Sequence, residues 1–341
     1  MDVINISEMK LIKSFFSKLD TTQLEELSSF IFEEIINRQY YDESSCRDIF
    51  CTACHSTHYV KNGKVRGKQR FLCKDCLTTF GLDSNSVISK SKLTVEQWHE
   101  YIKCMINGLS IRKSAENINV CVKTAFYMRH KILDAINAFM QKNCVSGLVE
   151  MDETFIAESF KGNHKKSGFQ MPRASRKRGK EISKRGISKE QICIGTAIDK
   201  NNNIIMETVC KGRITSKKLE KLYTGYISEG STICTDSYSG YKTLARTLRL
   251  NRKQIPAGRH SDGLFGLSNI NSLHSKFKRW IRKFNGVSTK HLANYLVWFK
   301  WLEKTKQLKE TVKPKQMWKD AMAKQVDVRI CKIREKEVKF I

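Results

Sequence analysis

The spacing of apolar residues changes along the chain and separates helical from strand-forming segments. Apolar residues recur at helical intervals over residues 20–38 and again over residues 92–142. From Gly147 the pattern shortens, and we predict three strands in GLVEMDETFIAES, QICIGTAIDK and NIIMETVCKG. The turn residues 201–203 join the second of these strands to the third. The sequence thus predicts a helical segment followed by a sheet.

Helices and strands alternate after the third strand. Residues 215–228 have a helical pattern, and STICTDSYSGY predicts a buried strand that ends in Asp236. A short strand is predicted near RKQIPAG, ahead of a helical block over residues 269–304. The order β-β-β-α-β-α-β-α predicts an α/β domain over residues 146–305, with a mixed sheet covered by helices.

Three segments lie outside these patterns. Residues 161–190 separate the first two strands and contain eleven Lys and Arg against two acids, so we predict a mobile basic insert. This insert could clamp DNA or simply be disordered. We expect a helical N-terminal segment over residues 1–45 and a basic C-terminal tail over residues 306–341.

The charge balance indicates a polyanionic partner. The chain has 62 Lys and Arg against 34 Asp and Glu, a formal net charge of +28, and such a field favours nucleic acid. A membrane surface is the rival partner, but we find neither an amphipathic helix with a Lys-rich face nor an apolar run of spanning length. The N-terminus MDVINISEMKLIKSFF lacks a secretory signal pattern. We therefore expect a cytosolic protein that acts where DNA is, without a membrane partner.

Four of the twelve cysteines form two CxxC pairs, and the other eight are scattered, which suits a reducing compartment. The pairs are separated by eighteen residues, a spacing typical of a zinc ribbon, which we place at residues 46–85. The expected zinc ligands are Cys51, Cys54, Cys73 and Cys76. A redox CxxC motif or two disulfides are the competing interpretations. His55 and His58 are not expected to be ligands, because four thiolates complete the shell.

The spacer between the CxxC pairs fits a hairpin that turns near Asn62-Gly63 or Arg66-Gly67. Its basic side chains could contact phosphates or could simply be solvated. His55 and Leu77 follow the second and fourth cysteines, where glycine would make the tightest turn.

Residues 90–142 contain three helix-like runs separated by short turns at Asn107-Gly108 and Asn119. This arrangement matches a helix-turn-helix DNA-binding domain whose recognition helix begins near Val122. The residues that we expect this helix to expose to DNA are Lys123, Thr124, Tyr127 and Arg129. The alternative is a plain helical linker domain with Trp98, Ile102 and Ile111 in its core.

Two acids stand where a charge is costly: Asp152 inside an apolar strand and Asp236 at the end of another. Converging carboxylates that hold Mg²⁺ would compensate that cost, and a pair of such ions can activate a nucleophile at phosphorus. Glu153 is a less suitable ligand because it points to the opposite face of its strand. Either aspartate alone could instead be a turn former at a strand end.

Together these motifs resemble the zinc-ribbon insertion-sequence transposases, whose catalytic DDE-type domain has the ribonuclease H-like fold. The resemblance covers residues 46 to about 304 and rests on the ribbon, the helix-turn-helix, MDETF, TDSYSGY and INSLHSKFKRWIRKFNGVSTKHLANYLVWF. In that superfamily a Glu or Asn that opens the last helix is the third ligand, and a Lys or Arg follows seven residues later. The resemblance therefore assigns Asn271 and Lys278 to the site, in the Asp-Asp-Asn branch.

The resemblance implies a transposase that binds the terminal inverted repeats of an insertion sequence, cleaves a strand and transfers it to target DNA. It implies Asp152, Asp236 and Asn271 as ligands of two Mg²⁺ or Mn²⁺ ions, Lys278 as a phosphate contact, and a homodimer or higher oligomer on double-stranded DNA. His274 and Ser275 lie near this face and could assist. Asn271 could alternatively be an N-cap or mark a decayed copy, and the rival function is an inactive zinc-dependent DNA-binding protein or transcription regulator.

Overall fold

The computed structural model describes residues 11, 13–24, 27, 49–65, 67–140, 144–162, 169–173, 186–256, 258, 261–263, 265–324, 326 and 329–341. The chain divides into two compact units, Met1–Tyr101 and Ile102–Ile341. Among the described helices, none combines the length and the apolar character needed to cross a membrane.

Only the beginning of the predicted helix 20–38 falls within the described residues. Asp20 and Gln23 exchange hydrogen bonds between their side chains and backbone N–H groups, which is the reciprocal pattern of a capping box. Residues 25, 26 and 28–38, and most of the basic insert, lie outside the described residues.

The ribbon is a three-stranded antiparallel sheet of β1 (Tyr59–Val65), β2 (Lys68–Cys73) and β3 (Thr79–Gly81). Val65 pairs with Lys68, so the hairpin turns directly after Val65, and Gly67 has a φ of 77°. Arg66 itself is outside the described residues. The register shifts between Lys61 and Lys64, so Asn62-Gly63 forms a bulge rather than the turn.

The ribbon has a very small apolar core. Phe71 and Phe80 are buried beside Cys51 and Cys73, and Tyr59 packs edge-on against both phenylalanines. So few apolar side chains cannot offset the chain entropy of folding. A further source of stability is therefore needed, and a metal held by cysteines can supply it.

Three helices follow the ribbon: α1 (Val95–Ile106), α2 (Ile111–Asn117) and α3 (Val122–Phe139). They end and begin where the sequence predicts, because Gly108 and Asn119 adopt φ values of 70° and 52° in the two turns. Ser110 caps α2, and the Cys121 thiol caps α3 by accepting from the Thr124 N–H.

A five-stranded mixed sheet forms the centre of the second unit. Its order is β6-β5-β4-β7-β8. Strand β5 is antiparallel to both of its neighbours, β4 and β6, whereas β4, β7 and β8 are parallel. The elements are β4 (Leu148–Ala157), β5 (Gln191–Asp199), β6 (Ile204–Lys211), α4 (Ser216–Tyr223), β7 (Thr232–Thr235), α5 (Gly240–Thr247) and β8 (Asn251–Gln254). The predicted α/β class and element order are confirmed.

A short hairpin that the sequence pattern does not predict, β9 (Ser261–Asp262) with β10 (Phe265–Gly266), leads into the final helices. These are α6 (Ser268–Arg282), a 3-10 turn (Thr289–His291), α7 (Leu292–Lys304), α8 (Lys313–Met322) and α9 (Ile330–Arg334).

Both faces of the sheet are buried under helices. On one face, residues such as Val149 and Met151 pack against α4 and α5. On the other, Ile192 and Ile194 pack against α6 and α7. Alternate residues of β4 thus point to opposite cores. Hydrophobic burial on both sides fixes the strand register, because a one-residue slip would exchange the two faces.

The second unit also includes α2 and α3, which the sequence places in a separate domain over residues 90–142. Asn294 in α7 donates to Asp134 in α3 over 2.9 Å, and Lys336 in the C-terminal tail contacts both of them. These contacts join segments 160 residues apart. Residues 102–341 consequently form one compact unit.

Candidate active site

Asp152 and Asp236 lie on neighbouring parallel strands. Asp152 is in the middle of β4, and Asp236 directly follows the last residue of β7. The register pairs Glu150 with Cys234, so an extension by two residues sets Asp152 level with Asp236. The two acids therefore lie side by side on adjacent strands, at the end of β7.

The loop after β7 is held in place by a single arginine. Arg252 on β8 donates through Nη2 to the Asp236 carbonyl oxygen over 2.8 Å and through Nε to the Thr235 hydroxyl over 3.0 Å. The Asp236 carboxylate in turn accepts from the Tyr238 N–H over 2.9 Å. These contacts fix both the backbone and the side chain of Asp236.

Helix α6 brings the third group of residues to the sheet. Asn271, His274 and Lys278 are spaced by three and four residues, so they occupy one side of the helix. The other side is apolar: Ile270, Leu273 and Phe277 are buried against the sheet and α7.

The start of α6 is anchored by a carboxylate from β4. Glu150 is 7% exposed, and its Oε2 accepts from the Ile270 N–H over 2.9 Å. Its Oε1 accepts from the Asn269 side-chain amide over 2.6 Å. An acid at a helix N-terminus satisfies unpaired N–H groups and interacts favourably with the helix dipole. Glu150 thereby fixes α6 to the strand that carries Asp152.

Asn271 is not the N-cap of this helix. The helix begins at Ser268, and its N-cap residue is Leu267, with no side-chain capping bond. Asn271 is the fourth helical residue and is exposed. Its amide is therefore free of a capping role, which removes one alternative for this position. The structure does not bring Asn271 into a direct contact with either aspartate.

His274 is the residue of α6 that lies nearest to Asp152. Its Nδ1 is 3.7 Å from Asp152 Oδ2, and its side chain is 8% exposed. Burial, followed by the positive charge of Lys278, lowers the pKa of His274 to about 4. The imidazole is therefore neutral at physiological pH.

Asp152 is a partly buried carboxyl group with a second carboxylate nearby. Burial, together with the neighbouring Asp236 carboxylate, raises the pKa of Asp152 to about 6, although Lys278 opposes that shift. A divalent cation would relieve both the burial cost and the repulsion. Oxygen ligands of this kind suit Mg²⁺ or Mn²⁺.

Glu153 faces the other side of the sheet, as strand alternation predicts. Its Oε1 accepts from the Tyr241 hydroxyl of α5 over 2.5 Å. Burial raises the pKa of Glu153 to about 7, despite that hydrogen bond. Glu153 is therefore a partner of buried tyrosine on the α4 and α5 side, and Asp152 faces α6.

The four CxxC cysteines converge. Their Sγ atoms all lie within 4.8 Å of one another, with Cys51 and Cys76 at 3.4 Å and Cys54 and Cys73 at 3.5 Å. A tetrahedral zinc with bonds of about 2.3 Å would need sulfurs about 3.8 Å apart. The cluster therefore fits a four-coordinate metal. His58 contacts Asp75 instead of joining the cluster.

Both cysteine turns close without glycine. His55 and Leu77 adopt left-handed φ values of 60° and 58°, and their N–H groups donate to the Cys51 and Cys73 carbonyl oxygens over 2.9 and 3.1 Å. A side chain at such a φ carries a strain cost of about 1–2 kcal/mol. The two turns are tight, and the expected ligand set is retained.

The expected exposed face of α3 is only partly observed. Lys123 is exposed, Thr124 and Tyr127 are half-buried, and the Tyr127 hydroxyl accepts from Arg334 Nε of the C-terminal tail over 2.8 Å. The expectation for Arg129 is wrong, because this residue is 1% exposed. Its guanidinium lies over the Trp298 ring and donates to the Leu109 carbonyl oxygen, so it stabilises the helical packing.

The sequence pattern did not identify two residues that support the site, Glu150 and Arg252. Glu150 is an acid in an otherwise apolar strand, two residues before Asp152 and on the same face, and that spacing was a usable signal. Nothing in the sequence indicates a role for Arg252, because basic residues are common throughout this chain and occur in many short segments like β8.

Comparisons with known proteins agree with this geometry. Residues 144–303 match the ISXO2-like transposase domain family and include both aspartates and the whole of α6. A protein of Halobacterium salinarum described as an uncharacterized protein in transposable element ISH50 is 26% identical over 255 residues, which cover 73% of this chain and 83% of the relative. The match over residues 144–303 and this relative confirm the predicted resemblance to insertion-sequence transposases.

Solved structures show only weak similarity. A chain in the cryoEM structure of the simian T-cell lymphotropic virus intasome in complex with PP2A regulatory subunit B56 gamma aligns with 60% of this chain and 67% of its own length, at 10% identity and a TM-score of 0.29. A chain in the crystal structure of a pre-cleavage Mos1 transpososome aligns with 68% and 80%, at 9% identity and a TM-score of 0.20. The fold assignment rests on the strand order and the family match.

Proposed function

We propose that this protein is a DNA transposase that binds the terminal inverted repeats of its insertion sequence, cleaves a strand and transfers the new 3′-OH to target DNA. The observation that carries this proposal is the level placement of Asp152 and Asp236 on adjacent parallel strands, beside the helix that bears Asn271 and Lys278. The transposase domain match over residues 144–303 supports it.

Each side chain of the site would have its own role, as a metal ligand or as a phosphate contact. Asp152 and Asp236 would hold two Mg²⁺ or Mn²⁺ ions, and the Asn271 amide oxygen would add a ligand without negative charge. Such ions, when bound, supply activation of the attacking oxygen and neutralisation of the leaving one. Lys278 is exposed on the same side of α6 and can place its ammonium against a DNA phosphate.

Arg252 and Glu150 position this machinery without touching the substrate. Arg252 holds the backbone of Asp236, and Glu150 holds the first turn of α6. Both bridge two elements, so each restricts the motion of a ligand-bearing segment relative to β4. Catalytic geometry must be held closely for an in-line displacement, and such second contacts supply that restraint.

DNA recognition is assigned to the N-terminal half and to exposed basic residues. Zn²⁺ held by Cys51, Cys54, Cys73 and Cys76 would fold the ribbon, whose spacer strands carry several lysines. Lys123 and Thr124 at the start of α3 remain candidates for DNA contact. The net charge of +28 supports a phosphate-rich partner whose binding weakens with salt. Joining two element ends requires at least a dimer on DNA.

A cleavage assay on the DNA that flanks the coding region tests this proposal. The full chain should nick inverted-repeat DNA in Mg²⁺ or Mn²⁺, and Asp152→Asn and Asp236→Asn should abolish nicking while a gel-shift assay still shows binding. Glu153→Gln is the matched control, because its carboxylate faces the opposite side of the sheet. Nicking that persists in both aspartate variants would refute the assigned catalytic residues. A wild-type protein that binds the DNA without nicking it would instead favour a zinc-dependent DNA-binding protein.

A further inference from the structure

His274 occupies an unusual position on α6. It lies three residues after Asn271 and four before Lys278, and so on the side of the helix that carries the proposed catalytic residues. Unlike those two exposed residues it is buried, with only 6% of its surface exposed. A buried imidazole at this position faces the carboxylates instead of the solvent.

The geometry of His274 is not that of a satisfied core histidine. Its Nδ1 is 3.7 Å from Asp152 Oδ2, which is too long for a direct hydrogen bond. Its Nε2 is buried and has no hydrogen-bond partner among the described residues. A neutral imidazole has one N–H group and one nitrogen with a free lone pair, so with the proton on Nε2 the Nδ1 nearest Asp152 is available to a cation.

The other buried histidines of this unit have a different environment. His130 and His291 stack on each other with ring centroids 4.2 Å apart, and Asn294 contacts the ring of His130. Both lie at the interface of α3 with the segment that begins α7. The His291 Nδ1 is also buried without a hydrogen-bond partner among the described residues, so an unpaired nitrogen alone does not distinguish His274. What distinguishes His274 is the Asp152 carboxylate 3.7 Å from its Nδ1.

We propose that His274 is an additional ligand at the metal site, binding a cation through its imidazole nitrogen beside Asp152. The inference rests on the proposed function and deepens it. A cation between Nδ1 and Oδ2 would bridge a gap that no hydrogen bond closes, and it would compensate the buried carboxylate. The donor set would then contain two carboxylates, one amide and one imidazole.

This donor set has a consequence for metal preference. Asn271 supplies no negative charge, so the site loses attraction for a hard cation relative to three carboxylates. An imidazole restores ligand strength, but for transition metals more than for Mg²⁺, which strongly prefers oxygen. The site should therefore bind Mn²⁺ in clear preference to Mg²⁺. The imidazole nitrogen of His274 would offset the negative charge that Asn271 does not supply.

Pulsed electron paramagnetic resonance of bound Mn²⁺ tests the inference directly, because it detects the coupling of a coordinated ¹⁴N nucleus. The full chain, loaded with zinc and free of any histidine tag, is titrated with Mn²⁺. The variants are His274→Gln and His274→Met, with His291→Gln as a control that also alters a buried histidine. Thermal melting of each variant verifies that it is folded.

The wild-type protein should show ¹⁴N coupling. Both His274 variants should lose that coupling and bind Mn²⁺ about tenfold more weakly, whereas His291→Gln should retain both properties. Absence of ¹⁴N coupling in the wild type, or coupling and affinity unchanged in the His274 variants, would overturn the inference. Mn²⁺ binding that Asp152→Asn abolishes but His274→Gln leaves intact overturns this inference alone. A wild-type protein without Mn²⁺ binding overturns the proposed metal site as well.

Discussion

The Glu150 carboxylate accepts a hydrogen bond from the Ile270 backbone N–H over 2.9 Å and so ties β4 to the first turn of α6. Two residues further along β4 lies Asp152, and one residue further along α6 lies Asn271. One short contact therefore sets the distance between two proposed ligands that are more than one hundred residues apart in the chain.

Removal of this anchor should impair cleavage more than DNA binding. Glu150→Ala leaves the N–H of the buried Ile270 unpaired, at a cost of about 1–3 kcal/mol of stability, whereas the exposed Asn269 amide can turn to solvent. Strand cleavage should fall because α6 loses its register against β4. Glu150→Gln is the matched control: its carbonyl oxygen can still accept from Ile270, so both losses should be smaller. Equal cleavage in all three proteins would contradict a positioning role.

Arg252 should influence the metal site through Asp236. Arg252→Lys removes the paired donors to the Thr235 hydroxyl and the Asp236 carbonyl oxygen, so we expect Mn²⁺ affinity to fall about tenfold, as for other residues that orient ligands. Calorimetric titration with Mn²⁺ measures this change. Arg249→Lys is the control, because Arg249 makes a solvent-exposed ion pair with Glu229 that contributes little. An equal effect of both substitutions would argue against the assignment.

Metal binding should depend on pH near the raised pKa of Asp152. Burial and the Asp236 carboxylate raise that pKa to about 6, so the metal-free protein holds a proton there below pH 6. A cation must displace this proton, and Mn²⁺ affinity should fall about tenfold per pH unit as pH decreases below 6. Above pH 7 Asp152 is already ionised, so it should no longer make the Mn²⁺ affinity depend on pH. Titration calorimetry with Mn²⁺ across this pH range measures the affinity, and an affinity that is constant from pH 5 to 7 would exclude a proton on Asp152 that competes with the metal.

The ribbon should become more stable when glycine replaces Leu77. This residue has a φ of 58° and an exposed side chain, so glycine relieves strain and removes little packing. We expect a gain of about 1 kcal/mol, seen as slower transfer of zinc from the full chain to a chelator. Lys74→Gly, at a position without a positive φ, should bring no gain. Faster zinc loss from the Leu77 variant would contradict the strain argument.

The order of strands and helices could be predicted from sequence because each element has its own period. Strands β4 to β6 read as short apolar runs, and α6 shows its apolar side at helical spacing. The two turns around α2 were also accessible, since Gly108 and Asn119 suit positive φ. Local chemistry determines these features, so no long-range information was needed.

Features that depend on distant segments were not accessible. In α3 the sequence suggests an exposed Arg129, but α7 and α8 cover that side of the helix, and the guanidinium rests on Trp298. The contact of Glu150 with α6 and that of Arg252 with the Asp236 loop likewise join separate elements. Spacing along one segment cannot show which side chain of another will meet it.

Anomalous diffraction from crystals of the full chain grown with Mn²⁺ tests the shared metal site most directly. Anomalous peaks should lie within bonding distance of both Asp152 and Asp236, with the Asn271 side chain turned toward the same ions. Crystals of Asp152→Asn should lose these peaks while any zinc peak at the four cysteines remains. Mn²⁺ that avoids both aspartates in the wild-type crystal would contradict the account.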